Sequence, residues 1–453
     1  MSHHQSNNVA DRSLFALSWP ILIDLLLHFL TPMINMIMIG RLSTQYLAAM
    51  TAGNYIFDLC ITIFSFISVG CSVVIAQYLG AGRTDQAKKA IHIAIALNFL
   101  VGVTFATIMF FFGRIGLSLT NTPPEVIDLS FVYLHILGIC LIPEAVSLIL
   151  AACLRVYGKA HAAMYVSLIA NVITIIGNII VLYGYFGLPQ LGLLGVAWST
   201  VAGRIVSVIL LACLLNYGLR LRFELKLFVI WSKDLLKQIL HIGLPSAGEN
   251  LIWSLHYITA TAFIALMGVT PLAAQSVYFQ LSLFMMMFGI AVSIGNEIQV
   301  GYLVGEKRFD DAYRRTFYSL KLGISVTLGV VILFWVFKLP IISMISEDQS
   351  VIQTLLPLFL LSIFLEPGRT INIVMVNALR ASGDARFPLY TAIIFMWGVS
   401  IPLGYFLGIK MEMGLFGIWI GFFCDEWLRG LVNAWRWKSK RWQNKRLNVD
   451  VAH

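Results

Sequence analysis

Acidic residues inside long apolar stretches are the first feature of this sequence that could do chemistry. Asp24 and Glu249 each lie four residues after a proline, Pro20 and Pro245. A charge at the centre of a bilayer costs at least ~2.5–3.5 kcal/mol, so each carboxylate requires a reason. One reason is uptake of a proton or cation in dry surroundings and its release when water enters. The alternative is structural, an acid satisfied by a neighbouring hydroxyl or a buried arginine.

Glu366 and Arg369 are a second candidate group. They are three residues apart, which places them on one helix face within pairing distance. The pair is either structural or supplies, in Glu366, a second ion-binding carboxylate. Asp425 and Glu426 lie within about one helical turn of Arg429, and pairing with that arginine is the alternative to a functional role.

Aromatic, methionine and amide side chains could line a cavity near these charges. Trp253 and Tyr257 share a helix face, and Met286 lies at the centre of a run of three methionines. Methionine suits surfaces that accept varied ligands because it repacks at little cost. Gln280 adds a polar group, and Arg369 a charge. The alternative for each is packing against lipid or a neighbouring helix.

The composition shows which kind of protein must position these groups. Of 453 residues 59% are hydrophobic and 12% charged, with a mean hydropathy of +0.85. These values exclude disorder, a nucleic-acid partner and an ordinary soluble enzyme, and they predict a polytopic membrane protein. The six cysteines lie in apolar stretches without zinc-ligand spacing, so we expect neither disulfides nor a metal site.

Twelve unbroken hydrophobic runs predict twelve transmembrane helices, because only helices or closed barrels satisfy the backbone in lipid. The fold class is therefore an all-α polytopic membrane protein. With the N-terminus cytoplasmic, 24 of the 31 Lys and Arg residues fall in cytoplasmic segments and four in external loops. The positive-inside rule then puts both termini in the cytoplasm.

The chain repeats itself at an offset close to 225 residues. Gly70 matches Gly295, and Leu154-Arg155 matches Leu379-Arg380. Each half holds an even number of helices, so the halves are parallel and related by a pseudo-twofold axis along the membrane normal, as in many transporters. The predicted divisions are a disordered tail (1–12), two six-helix lobes (13–217 and 235–434), a cytoplasmic connector (218–234) and a basic cytoplasmic tail (435–453).

Several extended motifs cover almost the whole chain. They include MINMIMIGRLSTQYLAA (33–49), VIAQYLGAGRTDQAKK (74–89), NVITIIGNIIVLYGYFG (171–187), VGYLVGEKRFDDA (300–312) and EPGRTINIVMVNALRASGDARFP (366–388). In these motifs, and in their order, the chain resembles the multidrug and toxic compound extrusion (MATE) family, in its prokaryotic branch. The resemblance implies cation-coupled efflux of organic, often cationic or amphipathic, compounds.

This sequence departs from the family at the acids usually invoked for coupling in the first lobe. Their positions hold Asn35 in the first helix and Asn178 in the fifth, which we retain as candidate polar contacts for substrate or ion. Family members often carry a glutamate in the seventh helix and an acid in the tenth. The resemblance therefore ranks Glu249 as the principal coupling carboxylate, with Glu366 and Asp24 modulating affinity or binding cationic substrate.

The sequence thus predicts a secondary active multidrug transporter, not an enzyme. It would antiport amphipathic or cationic compounds against H⁺ or Na⁺ by alternating access, as a monomer among the lipids of the plasma (bacterial inner) membrane. No cofactor or resident metal is expected beyond Na⁺ at the coupling acids, and no GxxxxGK[ST] loop indicates ATP as the energy source. The alternatives are a flippase for lipid-linked saccharides of the same wider superfamily and an intramembrane enzyme using His28 and Asp24.

Overall fold

A computed structural model describes residues 9–120, 122–187, 190–219, 221, 223–229, 231–345 and 347–447. Within these ranges the chain forms twelve long helices and no β-strand, which confirms the predicted fold class. The helices are α1 (Leu14–Gly40), α2 (Thr44–Gly80), α3 (Thr84–Leu119), α4 (Pro124–Val156), α5 (Ala160–Tyr183), α6 (Gly192–Cys213), α7 (Lys233–Ala265), α8 (Val269–Gly305), α9 (Phe309–Val336), α10 (Gln349–Ser382), α11 (Arg386–Lys410) and α12 (Gly414–Lys438).

Ten of the described helices are long and apolar enough to cross a membrane. The other two are α7 and α12, which span 33 and 25 residues and have enough length to cross as well. Glu249 lies at the middle of α7, and Asp425, Glu426 and Arg429 lie at the middle of α12. Both helices of lower hydropathy therefore carry charged residues at mid-length.

The chain divides into two compact units. The N-terminal unit comprises Ile23–Ile75 and Arg83–Gly243, and the C-terminal unit comprises residues up to Leu22, Ala76–Gly82 and residues from Leu244 onward. Each has its own buried apolar cluster, built around Phe64 and Leu137 in the first and around Tyr278 and Trp419 in the second. Unlike the predicted lobes, each unit includes a few turns of helix from the other half of the sequence.

Repeated glycines explain these exchanged turns. In the C-terminal unit, a Cβ atom on Gly295 of α8 would lie 2.7 Å from Ser18 Oγ at the start of α1. In the N-terminal unit, a Cβ atom on Gly70 of α2 would collide with the carbonyl oxygen of Ile239 in α7. Small residues of this kind let helices approach closely in a membrane. The sequence repeat is therefore also a repeat of helix contacts.

Both predicted tails contain packed residues. Residues 1–8 lie outside the described part, but Val9 and Ala10 are fully buried, so the disorder expected for 1–12 does not extend to them. At the other end, Trp437 and Trp442 are buried and stacked 4.1 Å apart, and the Leu447 amide donates to Gln77 Oε1. Burial of these aromatic rings holds the C-terminal residues against the helix ends as far as residue 447.

Candidate ion-coupling and substrate site

The two carboxylates that follow the repeated prolines are each held by an arginine. In the N-terminal unit, Arg155 Nη1 lies 2.9 Å from Asp24 Oδ2. In the C-terminal unit, Arg380 Nη2 lies 2.7 Å from Glu249 Oε2. Each arginine is in the last turn of its helix, α4 or α10, and the partners are 131 residues apart in both cases. The structure thus supplies the partner that a structural role for these acids requires.

Glu366 lies in a different setting, a buried charge network within the C-terminal unit. Its Oε1 accepts a 2.7 Å hydrogen bond from Arg369 Nη1 and a 3.3 Å bond from Ser282 Oγ. The same arginine nitrogen also donates to Ser282 Oγ at 2.7 Å. Glu366 Oε2 is buried and has no hydrogen-bond partner among the described residues. One oxygen of this carboxylate is therefore engaged and the other is not.

Helix α12 completes this network. Arg429 forms a two-pronged pair with Asp425, at 2.8 and 2.6 Å, and its Nη2 lies 3.2 Å from Glu426 Oε2. Glu426 Oε1 lies 3.4 Å from Arg369 Nε, which links the pair on α12 to the pair on α10. The network contains three carboxylates and two guanidinium groups, so with all five ionised it carries one uncompensated negative charge.

The corresponding region of the N-terminal unit buries one balanced ion pair. Arg204 Nε lies 2.8 Å from Glu144 Oε2 in a single ion pair. The two asparagines that stand where the resemblance implies acids meet directly, with Asn178 Nδ2 donating to Asn35 Oδ1 at 2.8 Å. Asp58, a further acid in this unit, is exposed. Neutral amides here occupy the positions at which the family resemblance implies coupling acids.

Sequence reasoning missed His256 on α7. It is buried, its Nε2 lies 2.8 Å from Ser400 Oγ, and its ring centroid lies 4.5 Å from that of Phe422. Its Nδ1 has no hydrogen-bond partner in the described part of the chain. The sequence did contain a signal for it, because His256 is a titratable residue in a membrane helix, two turns after Glu249.

An aromatic cavity adjoins the charge network in the C-terminal unit. Its volume is ≈ 20 Å³, about enough for one water molecule. Tyr257 and Phe279 meet across it with ring centroids 4.1 Å apart. Four residues predicted from the sequence as cavity residues line it together with Ser282, which touches Glu366: they are Trp253, Tyr257, Met286 and Arg369.

The amide of this cavity region is Gln275, not Gln280. Gln275 is buried, accepts from Trp419 Nε1 at 2.7 Å and donates to Tyr257 Oη at 3.0 Å. Gln280 is exposed and does not line the cavity. The structure therefore brings four of the predicted substrate contacts together in this unit and leaves Gln280 apart from them.

Comparison with known proteins identifies the scaffold that carries these groups. The family model MatE matches the chain twice, over residues 20–180 and 245–406, at the spacing of the internal repeat. The chain belongs to the MatE family. It is therefore a multi-pass membrane protein of a multidrug efflux transporter family, and a transporter rather than an enzyme.

Similar proteins align with this chain over nearly its whole length. The uncharacterized transporter YisQ of Bacillus subtilis is 35% identical over 96% of this chain and 95% of its own. The multidrug resistance protein MdtK of Yersinia enterocolitica is 25% identical over 91% and 92%. A crystal structure of MATE in the straight conformation has a TM-score of 0.88 at 19% identity, covering 97% of this chain and 98% of that one. As a member of this family, the protein has small-molecule substrates.

Proposed function

We propose that this MatE protein is a secondary active antiporter that exports amphipathic or cationic organic compounds in exchange for protons, by alternating access. The observation that carries the proposal is the surplus carboxylate of the α10–α12 network. An uncompensated buried charge costs free energy. Binding of one positive charge by the network is therefore favourable. Its contact with the aromatic cavity through Ser282 and Arg369 connects that binding to the aromatic side chains of α7 and α8.

A proton fits this site better than Na⁺. The guanidinium of Arg369 lies 2.7 Å from one oxygen of Glu366, and a metal cation at this carboxylate would be repelled by it. In the described ranges no group of three or more His, Cys, Asp or Glu side chains is arranged to hold a metal ion. A proton needs only the unpartnered Oε2 of Glu366 and no coordination shell.

The same charge makes proton and substrate mutually exclusive. With Glu366 ionised, the network attracts a cationic substrate toward the aromatic side chains beside it, whereas with Glu366 protonated the network is neutral and that attraction is lost. Such negative coupling between two ligands is reciprocal, and it is what an antiporter requires. The family resemblance ranks Glu249 first, but the contacts favour Glu366. Arg380 contacts Glu249 and no other acid among the described residues, whereas Arg369 is shared between Glu366 and Glu426.

Charge balance also argues against the flippase alternative. A cavity for lipid-linked phosphates needs cationic groups that carboxylates do not neutralise. In the described part of the chain, the three arginines near the middle of membrane helices are all paired with acids: Arg204, Arg369 and Arg429. The site thus favours positively charged cargo.

The energy source is tested in proteoliposomes with pH and sodium gradients imposed separately, using the fluorescent cation ethidium as the probe. We expect uphill ethidium transport with a pH gradient alone and none with a sodium gradient alone. Collapse of the pH gradient should stop it, and ATP should not restore it. Transport driven by sodium at equal pH would contradict proton coupling.

We also propose that the protein lies in the plasma membrane as a monomer, with both termini and the 218–234 connector in the cytoplasm. The basic asymmetry between the two sets of loops supports this orientation. In a cysteine-free background, an impermeant thiol reagent outside intact cells should fail to label cysteines placed at Ser232 or Ser439. Labelling at either position would reverse the topology.

A further inference from the structure

A second cavity lies within the C-terminal unit, away from the charge network. Its volume is ≈ 340 Å³, so it is far larger than the aromatic cavity. It is formed where the first turns of α9 meet the segment that leads into α1. Its polar lining comes from Asp11, Ser13, Arg308, Asp311, Arg314, Arg315 and Tyr318.

The acids at this cavity all contact one arginine. Arg308 contacts Asp311 at 2.8 Å, Glu306 at 3.0 Å and Asp11 at 3.1 Å, and hydrogen bonding to these carboxylates raises the pKa of Arg308 above its ordinary value. Neither Arg314 nor Arg315 forms a salt bridge among the described residues. Of the two, only Arg315 has a hydrogen bond, a 3.4 Å contact to the carbonyl oxygen of Ala10. The cavity lining thus carries three guanidinium groups against two carboxylates, and two of those guanidinium groups have no carboxylate within salt-bridge distance among the described residues.

The surroundings indicate that the anion belongs to a lipid. Tyr318, which lines the cavity, is 56% exposed. Phe15 and Trp19, just after the lining residues of α1, are 66% and 47% exposed, with ring centroids 6.4 Å apart. In a membrane-spanning helix, exposed aromatic rings beside basic residues are typical of the bilayer interface. A free anion would gain nothing from this apolar border, whereas an acyl chain would.

We propose that this cavity binds the headgroup phosphate of an anionic phospholipid, with Arg314 and Arg315 as its ligands and Tyr318 beside the glycerol region. Guanidinium groups bind phosphate oxygens with paired hydrogen bonds, and basic pockets at the cytoplasmic ends of helices are known to select anionic lipids. The proposal does not depend on the nature of the coupling ion or the exported substrate.

Lipid retention measures this site directly. Wild-type protein is reconstituted in nanodiscs of phosphatidylcholine with a tenth of phosphatidylglycerol, extracted, and analysed by native mass spectrometry. We expect wild type to retain phosphatidylglycerol. The double variant Arg314→Gln/Arg315→Gln should bind it roughly 30-fold more weakly, given the usual contribution of each basic residue near a membrane surface. The conservative variant Arg314→Lys/Arg315→Lys should recover most of the retention.

The matched control removes two positive charges elsewhere. Lys159→Gln/Lys226→Gln changes net charge equally at exposed positions outside the cavity, and it should retain the lipid. Equal retention by wild type and the Arg314/Arg315 double variant, with both folded by circular dichroism, would overturn the proposal. Displacement of the lipid by 10 mM inorganic phosphate would overturn the assignment to a lipid and indicate a free-phosphate site.

Discussion

The two halves of this transporter share one type of ion pair, which follows the repeated proline, but they differ in the charges buried deeper in their helices. Both hold an acid four residues after the repeated proline against an arginine at a helix end, Asp24–Arg155 and Glu249–Arg380. Deeper in the helices, the N-terminal unit has the single pair Glu144–Arg204. The C-terminal unit instead has five charged side chains with one surplus carboxylate.

This difference distinguishes ion pairs with a structural role in both halves from a charge that has a role in one half only. A contact that recurs at the same spacing in both copies meets a need common to both, such as fastening one helix to another. A charge that is unbalanced in only one copy serves something the other copy does not, and ion coupling is such an asymmetric task. This comparison is the reason for our proposal that the unrepeated acid Glu366, rather than the repeated acid Glu249, is the coupling carboxylate.

The largest expected effect comes from removing the arginine shared by two acids. Arg429→Gln leaves Asp425 and Glu426 without their main partner, and breaking buried pairs in this way costs ~3–5 kcal/mol of unfolding free energy. Arg204→Gln leaves only Glu144 unpaired and should lower the melting temperature less. Thermal unfolding in one detergent measures both.

The exposed arginine Arg114, paired with Asp128 at a solvent-accessible site, provides the control. Arg114→Gln should cost less than ~1 kcal/mol, as exposed ion pairs do. Equal melting temperatures for Arg429→Gln and Arg204→Gln would contradict the predicted difference in stability between the two buried charge clusters.

The repeated pairs are tested by neutralising both partners. Glu249→Gln strands Arg380 in a largely buried site and should cost ~2–3 kcal/mol of stability. Glu249→Gln/Arg380→Gln should recover most of that loss and retain proton-driven efflux. In a structural pair, two neutral side chains leave no unpaired buried charge. Asp24→Asn and Asp24→Asn/Arg155→Gln should behave alike. A stable Glu249/Arg380 double variant without uphill transport would return the coupling role to Glu249.

The smallest effect is expected at the amide pair of the N-terminal unit. Asn35→Asp keeps an oxygen that accepts from Asn178 Nδ2, so stability should change by less than ~1 kcal/mol. The new carboxylate could add a second ion-binding group, and the pH dependence of ethidium efflux should then shift. An unchanged pH profile would mean that this position has no access to the transported ion.

Much of this architecture could be predicted from one sequence, because hydrophobic runs and the 225-residue offset are local or periodic signals. The cavity residues Trp253, Tyr257 and Met286 could be predicted because aromatic and methionine side chains cluster near charged positions. The partners of Glu249 and Asp24 could not, since they lie 131 residues away and nothing in a single chain specifies which helices meet.

Cross-helix contacts also account for the remaining differences. Helical spacing places Asp425 beside Arg429, but it cannot join them to Glu366 on another helix. Likewise, only the fold decides that Gln275 rather than Gln280 turns toward Trp419. Two tryptophans in the predicted basic tail, Trp437 and Trp442, were a readable signal of packing, because large aromatic residues are seldom left in a solvated tail.

The most direct test of the central claim is proton release on substrate binding, followed with a pH indicator in weakly buffered detergent solution. Ethidium added to wild type under conditions where Glu366 is protonated should release protons, because cation and proton compete for one charge. Glu366→Gln should release none while remaining folded, and Glu249→Gln/Arg380→Gln should release as many as wild type. Undiminished release from Glu366→Gln, with release lost in the Glu249/Arg380 variant, would contradict the account.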